Sequence, residues 1–209
     1  MDRAQEASQR LDAMETLLPF VTYAFVSSVT PGPNNIMLTA SGANFGFRRT
    51  IPHMLGVTVG FCFMLAVMGL GLGAVFLALP QLQLVLKIVG ATYMLWLAWK
   101  VASASAPEDG AAQTAPLTFL QAAAFQWVNI KAWFMCVTTV AIYVPAGDGQ
   151  RQALVLAVLI FGLVNLPTVS LWAGLGVGVR RFLQNPKALR AFNITLALLL
   201  VASVVPMLR

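Results

Sequence analysis

The chain has 209 residues, of which 59% are hydrophobic and only 10% are charged, and its mean hydropathy is +0.80. Because soluble globular domains carry about 25% charged residues, this composition excludes an ordinary soluble protein and predicts an all-α integral membrane protein. The net charge of +6 comes without a basic stretch interleaved with aromatic residues, so we expect no nucleic-acid partner.

Residues 1–16 form a polar N-terminal tail that mixes acidic and basic residues, whereas the start of a secretory signal is basic and poor in acid. We therefore expect the first apolar segment to be retained as a membrane helix. Residues 17–209 contain six apolar blocks, each near the ~20 residues that cross a bilayer. The blocks are Leu17 to Ala43, Ile51 to Leu79, Leu82 to Val101, Phe119 to Val144, Gln152 to Val179, and Leu189 to Leu208. They predict a six-helix transmembrane domain.

The longest hydrophilic stretch between these blocks is a linker at residues 102–118, which is too short for a soluble catalytic domain. Any function is therefore expected among the helices or at their ends. No cluster of His, Cys and Asp residues has the spacing of metal ligands. We predict that the protein is not an enzyme and has no catalytic residues, no metal site and no cofactor.

A proline-rich run interrupts the first block near its middle, at Pro31, Gly32, Pro33, Asn34 and Asn35. Proline removes a backbone donor and clashes with the preceding turn, so two prolines around a glycine predict at least one unwound turn. Within a bilayer, non-helical backbone persists only where it is buried in protein or lines a wet cavity. The broken helix therefore indicates a binding site.

The fourth block carries polar residues at a comparable depth, in the run Gln126 to Lys131. Three helices in each half place the halves in opposite orientations, so we predict an inverted repeat of residues 17–101 and 119–209. Interrupted helices at corresponding positions of such halves build the substrate site of many secondary transporters. Gln126, Asn129 and Lys131 are therefore candidate substrate-binding residues together with the first break.

Lys131 is a charge deep in the fourth block, and no Asp or Glu lies inside any block to neutralise it. Its partner is expected to be an unwound carbonyl near Pro31, an asparagine oxygen or the carboxylate of a bound amino acid. The alternative is that Lys131 extends to the headgroups.

Asn34 and Asn35 follow the first break, where a restarted helix would present free amides and its positive dipole end to an anion such as a carboxylate. The alternative is that both asparagines only cap the helix. In the fifth block, Asn165 and Pro167 suggest a second interior break, with a simple kink as the alternative.

His53 is the single histidine and follows Pro52 near one end of the second block, so we consider it for proton coupling, against a plain helix-end role. Cys62 and Cys136 are isolated and are interpreted as small apolar fillers.

The second block also contains a glycine series at Gly69, Gly71 and Gly73, which lacks the context of a phosphate loop and indicates close helix packing. Gly56 and Gly60 have the spacing of a G-x-x-x-G pair and suggest the same, or the seam of a homodimer.

Basic residues in short loops predict orientation, since they concentrate on the cytoplasmic side. Three alternate connections share about seven of them: Arg48 and Arg49, Lys100, and Arg180, Arg181, Lys187 and Arg190. This distribution places both termini outside and the 102–118 linker in the cytoplasm.

The run T-P-G-P-N-N at Thr30 to Asn35, G-F-R at Gly46 to Arg48 and G-A-T-Y-M-L-W at Gly90 to Trp96 together resemble the LysE/RhtB family of amino-acid exporters. The resemblance covers nearly the whole chain. It implies a multi-pass protein of the bacterial cytoplasmic membrane that exports amino acids or related small metabolites, by proton antiport.

One position departs from the family, most of which has N-P-K where this chain has Asn129, Ile130 and Lys131. The absence of that proline leaves open whether the fourth helix is broken. An apolar residue between Asn and Lys, and the stretch Phe192 to Leu200, are similar to the cysteine and O-acetylserine exporter branch.

Two functions from other classes remain open. A membrane thiol-disulfide carrier would require Cys62 and Cys136 to face each other. A non-transporting accessory subunit would explain the absence of acidic residues in the blocks, but it would leave the Pro31 to Asn35 break and Lys131 without a role.

Overall fold

The computed structural model describes residues 17–104, 115–183 and 185–205, and every regular element within these ranges is helical. The predicted tail, residues 105–114 of the linker, and the end of the sixth block at residues 206–208 lie outside the described residues. The α-helices are α1 (Leu17–Val29), α2 (Pro33–Phe45), α3 (Phe47–Val67), α4 (Gly73–Ala78), α5 (Pro80–Ala102), α6 (Phe119–Phe125), α7 (Ile130–Tyr143), α8 (Gln150–Arg180) and α9 (Pro186–Ala202). In the parts that the structure describes, all six predicted blocks are thus mainly helical.

Among the described residues, three helical runs are long and apolar enough to cross a membrane, namely Phe47–Leu72, Gln83–Ala102 and Gln150–Arg180. The first and fourth blocks are each divided into two shorter helices, of which Leu17–Val29 and Ile130–Tyr143 are apolar. Their shortness follows from the breaks that interrupt them.

The predicted break in the first block is confirmed. α1 ends at Val29 and α2 begins at Pro33, where the missing amide of proline removes no helical hydrogen bond. Gly32 is extended, with φ −175° and ψ 178°. The chain therefore leaves one helix and starts the next within three residues.

The fourth block is broken as well, although Ile130 stands where most of the family has proline. After α6 the chain forms one 3₁₀ turn, Gln126–Val128, and Asn129 is extended at φ −89° and ψ 102°. The Asn129 side chain accepts a hydrogen bond from the Lys131 amide at 3.2 Å and caps α7. An asparagine cap therefore starts the new helix without the family's proline.

The predicted break in the fifth block is wrong, because α8 continues through Asn165 and Pro167 from Gln150 to Arg180. A single proline inside a helix removes one backbone hydrogen bond, and the turns on both sides of it retain theirs. Asn165 is buried, whereas Pro167 is exposed.

Glycines in α2 and α8 hold these two helices in close contact. A Cβ at Gly42 would lie 2.1 Å from the Ala173 carbonyl oxygen, and one at Gly176 would lie 2.1 Å from the Thr39 carbonyl oxygen. Neither position has room for a side chain. Close contact with α8 fixes α2, which carries the first break, at the centre of the helix bundle.

The pair Gly56 and Gly60 packs α3 against α6 within the chain. Their added Cβ atoms would lie 2.4 Å from the Phe119 carbonyl oxygen and 2.5 Å from Ala123 Cα. The packing interpretation is confirmed, and a homodimer seam at these two glycines is wrong because α6 already fills that space. A homodimer through another surface stays a prediction.

The glycine series in the second block combines packing with a change in helix type. Gly69 packs against the side chain of Leu154, where a Cβ would lie 2.3 Å from Leu154 Cδ1. A π-helical turn, Met68–Leu72, separates α3 from α4, and Gly71 within it has φ 120°, a conformation that favours glycine.

Candidate functional site

The two helix breaks lie against each other and are joined by reciprocal hydrogen bonds. Asn34 Nδ2 donates to Gln126 Oε1 at 2.9 Å, and Gln126 Nε2 donates to Asn34 Oδ1 at 3.2 Å. Gln126 is fully buried and its amide also donates to the Ala122 carbonyl at 2.8 Å. Two residues 92 positions apart in sequence thus form one amide pair.

Lys131 connects the second break to the end of α1. Its Nζ donates to the Thr30 carbonyl at 2.7 Å and to Thr30 Oγ1 at 2.9 Å. This carbonyl is one of the partners predicted for the Lys131 ammonium. The positive charge lies at the C-terminal end of α1, where the helix dipole favours a cation.

Gly32 allows the Lys131 side chain to cross the first break. A Cβ at this position would lie 3.0 Å from Lys131 Cδ and 3.2 Å from Lys131 Nζ. Gly32 is therefore needed for the space that its missing side chain leaves. Its backbone conformation does not require glycine, since any residue can adopt this extended geometry.

Asn35 joins the two halves of the first helix. Its Nδ2 donates to the carbonyls of Ser28 and Thr30, both at 2.9 Å. Trp172 Nε1 donates to the Val29 carbonyl at 3.2 Å. The carbonyls freed at the end of α1 are thus satisfied by side chains, as non-helical backbone inside a membrane requires.

The capping interpretation of Asn34 and Asn35 is wrong, since α2 begins at Gly32 and Pro33 without a side-chain cap. Both asparagines lie in the first turn of α2 instead, and their side chains point to different partners. Asn35 acts within the break, whereas Asn34 is only partly buried and pairs across to the second break.

A cavity of about 30 Å³ lies between the breaks. Its polar lining consists of Ser27, Ser28, Asn34, Asn35, Gln126, Asn129, Lys131 and Asn165, and Gly32 also borders it. Val57, Phe61, Ala132, Met135 and Val169 form its apolar wall. A space of this volume holds about one water molecule, so the helices must separate before a larger molecule can enter. We call it the central cavity.

Three polar residues of this region were missed by the sequence interpretation, namely Ser27, Ser28 and Thr58. Thr58 Oγ1 donates to Asn165 Oδ1 at 2.9 Å, and Asn165 Nδ2 donates to Ser28 Oγ at 3.4 Å. Asn165 therefore serves as a cavity residue on an intact helix. The two serines lie one helical turn before the first break. That position in the sequence could have identified them as cavity residues.

The charge in this region is entirely positive. Within the described residues Asp148 is the single acidic residue, and it lies in the connection between α7 and α8. Among the described residues that line the central cavity, Lys131 alone is charged. The site therefore offers an ammonium, amides and hydroxyls, and no carboxylate.

His53 lies apart from the central cavity and is 1% exposed. It lies in the second turn of α3, near the helix end as expected, and a role in proton coupling stays a prediction. Pro31 is exposed at the break, and Pro33 is buried as the first residue of α2.

The two cysteines are reduced and pack within the bundle. Cys136 is fully buried in an apolar cluster, as expected of a filler. The Cys62 thiol donates to the Val158 carbonyl of α8 at 3.5 Å.

Comparison with known proteins identifies the family of the chain. The profile of the family described as LysE type translocator matches residues 25–207. Proteins named cysteine/O-acetylserine efflux protein from Escherichia coli K12 and from Shigella flexneri serotype 5b are each 34% identical over 187 residues, covering 88% of this chain and 93% of theirs. No solved structure matches the chain. The chain therefore belongs to the LysE type translocator family and is a membrane transporter rather than an enzyme.

Proposed function

We propose that the protein exports small neutral amino acids or close metabolites from the cytoplasm across the bacterial cytoplasmic membrane, with a site at the two helix breaks. One observation carries this proposal: the Lys131 ammonium and the N-terminal turn of α2 meet at the same cavity. Both favour an anion. A substrate carboxylate would bind there, in place of the Thr30 contact made by Lys131.

The substrate's ammonium would then be held by neutral oxygens, since the described lining of the central cavity has no carboxylate. Ser27, Ser28 and Asn165 offer such oxygens. A second positive charge on the substrate would be repelled by Lys131 in a site with little water. We therefore expect neutral substrates such as serine, cysteine or O-acetylserine to be exported in preference to lysine or arginine. The relatives named cysteine/O-acetylserine efflux protein agree with this class.

We further propose six spans arranged as two inverted repeats. The first and fourth blocks each contain a pair of half-helices, α1 with α2 and α6 with α7, whose breaks meet at one site. This arrangement is typical of inverted-repeat transporters, in which one half moves against the other around the site. The basic connections support an orientation with both termini outside.

Proton antiport is our proposal for coupling, and it needs a group that carries the proton. Acidic residues are absent from the described helices, so the remaining candidates are His53 and the amine of the substrate. Collapsing the proton gradient with an ionophore should stop export against a concentration gradient. Continued uphill export would replace proton antiport with another driving ion.

The experiment that tests the proposal measures efflux from cells that overproduce the protein and are loaded with a panel of amino acids. Wild type, Asn34→Ala and Lys131→Met are compared at equal membrane abundance. Asn185→Ala provides a control of similar stability cost, because it removes the cap of α9 far from the site. We expect efflux of neutral amino acids by wild type and the control, and none by the two site variants.

Efflux equal to that of empty-vector cells across the panel would overturn the proposal and favour a non-transporting accessory subunit. A thiol-disulfide carrier would instead lose its function when Cys62 and Cys136 are both replaced by Ala, whereas the proposed exporter should retain efflux in that variant.

A further inference from the structure

A second cavity, of about 50 Å³, lies between α2, α3, α5 and residues 115–117. Its polar lining residues are Ser41, Asn44, His53 and Lys100. It shares no lining residue with the central cavity. We call it the inner cavity, because Lys100 and the adjoining linker belong to the connections that the charge distribution places in the cytoplasm.

The two cavities are lined by residues from the same face of α2 and from the same face of α3. On α2, Asn34 lines the central cavity, while Met37, Ser41 and Asn44 line the inner cavity. These positions are three or four residues apart and therefore share one helix face. Along α3, Phe61 and Val57 line the central cavity and His53 lines the inner one, again at four-residue spacing.

The gap between the cavities is about one helical turn, or ~5 Å. Met37 lies at the edge of the inner cavity and Val57 at the edge of the central cavity, and both are packed in one apolar cluster with Phe125. Phe125 directly precedes Gln126 of the second break. An apolar layer drawn from this cluster thus lies between the two polar cavities.

His53 lies next to this apolar layer, and within the described part of the chain its imidazole ring is buried without hydrogen bonds. Both ring nitrogens are buried and have no hydrogen-bond partner among the described residues. A buried polar group without a partner disfavours the conformation that contains it. The closed arrangement is therefore destabilised at His53, and separation of α2 from α3 would let water or substrate reach the ring.

We propose that the inner cavity is the cytoplasmic entrance of the transport path, and that Met37, Val57 and Phe125 form the gate that closes it. Lys100 would receive the carboxylate of an entering amino acid, and His53 would bind it or its water once the gate opens. The proposal rests on the exporter function and the orientation proposed above. The inner cavity would thus be a second binding site, on the cytoplasmic side of the central cavity.

The test is side-specific labelling of single cysteines in a Cys62→Ala/Cys136→Ala background. Ala40→Cys reports on the inner cavity and Ala132→Cys on the central one, as both alanines are buried lining residues. Ala24→Cys is the buried control, because Ala24 lies in the other apolar cluster and lines neither cavity. Inside-out and right-side-out vesicles are treated with a charged maleimide, with and without O-acetylserine.

We expect Ala40→Cys to be labelled from the cytoplasmic face alone, several-fold faster than Ala24→Cys, and at a rate that O-acetylserine changes. Absence of labelling, or labelling from the outer face, would overturn the entrance. Labelling does not depend on net efflux. A wild type that exports nothing would therefore defeat the proposed function while the accessibility of the cavity is still measured.

A second measurement addresses His53 directly. His53→Leu fills a similar volume without unpaired nitrogens, so it should favour the closed state. We expect a melting temperature a few degrees higher, together with slower efflux and slower labelling of Ala40→Cys. His53→Met is the second variant, and Leu55→Met, on the exposed face of α3, is the control. Unchanged efflux and labelling in both His53 variants would show that His53 has no influence on the opening of the gate.

Discussion

Lys131 Nζ lies 2.7 Å from the carbonyl oxygen of Thr30, across 101 residues of sequence. The contact joins the end of α1 to the start of α7 and holds a positive charge at the meeting point of two helix breaks. A substrate carboxylate competes with Thr30 for this ammonium in the proposed mechanism. Binding would therefore loosen the contact between the two halves of the protein, which gives a direct physical link between occupancy and movement.

The space that Gly32 leaves for Lys131 can be removed with one methyl group. In Gly32→Ala the new Cβ would lie 3.0 Å from Lys131 Cδ, so the flexible end of the lysine must move. We expect efflux to fall several-fold with little change in melting temperature. Gly162→Ala is the control, since its Cβ would make an ordinary 3.5 Å contact with Cys62 Sγ. Wild-type efflux in Gly32→Ala would contradict the placement of the ammonium.

The amide pair of Asn34 and Gln126 can be measured with a double-mutant cycle. Each alanine substitution should lower the free energy of unfolding by about 1–2 kcal/mol, because it leaves the other amide without its partner. The double variant should lose less than the sum, with a coupling energy of about 1 kcal/mol. Chemical denaturation in detergent provides the measurement, and additive losses would show that the pair is not formed in the membrane-extracted protein.

Asn35 should differ from its neighbour in being needed for folding. Asn35→Ala leaves the Ser28 and Thr30 carbonyls without the amide that satisfies them. We expect a loss of about 1–3 kcal/mol in stability and a lower membrane abundance. Melting curves of purified protein test this. An unchanged melting temperature with lost efflux would mean that Asn35 contacts substrate directly.

The contact between α2 and α8 predicts which glycines tolerate a side chain. Gly42→Ala and Gly176→Ala each place a Cβ against backbone atoms that cannot move without separating the helices. Both variants should fail to give folded protein in size-exclusion chromatography. By contrast, a Cβ at Gly178 meets nothing within 4 Å, so Gly178→Ala should be neutral or stabilising by up to ~1 kcal/mol. Normal folding of Gly42→Ala would contradict this packing.

The proposed orientation predicts the accessible side of two exposed connections. In the cysteine-free background, Phe182→Cys lies beside Arg180 and Arg181 and should react with a charged maleimide only from the cytoplasmic face. Asp148→Cys, between α7 and α8, should react only from outside. The reverse pattern would invert the topology and the direction assigned to the inner cavity.

Local signals in the sequence were sufficient for the helices and for the first break. The six apolar blocks are mainly helical over their described residues. Pro31 and Pro33 end one helix and start the next, because the missing amide and fixed ring of proline act on adjacent residues. The same local argument failed at Pro167, where one proline lies inside an uninterrupted α8. In the fourth block the sequence did not show whether the helix is broken. The structure shows that it is, with Asn129 capping the new helix.

The sequence by itself determined the class of the protein, its helical segments, the position of the first break and the polar residues available for a site. Only the tertiary structure decided how those residues pair: Asn34 with Gln126, Lys131 with Thr30, and Asn35 with the end of α1. It also decided that Gly56 and Gly60 pack within the chain, and that His53 is buried beside a second cavity. The physical reason is that helix breaks depend on neighbouring residues, whereas side-chain partners depend on helix packing between positions about 100 residues apart.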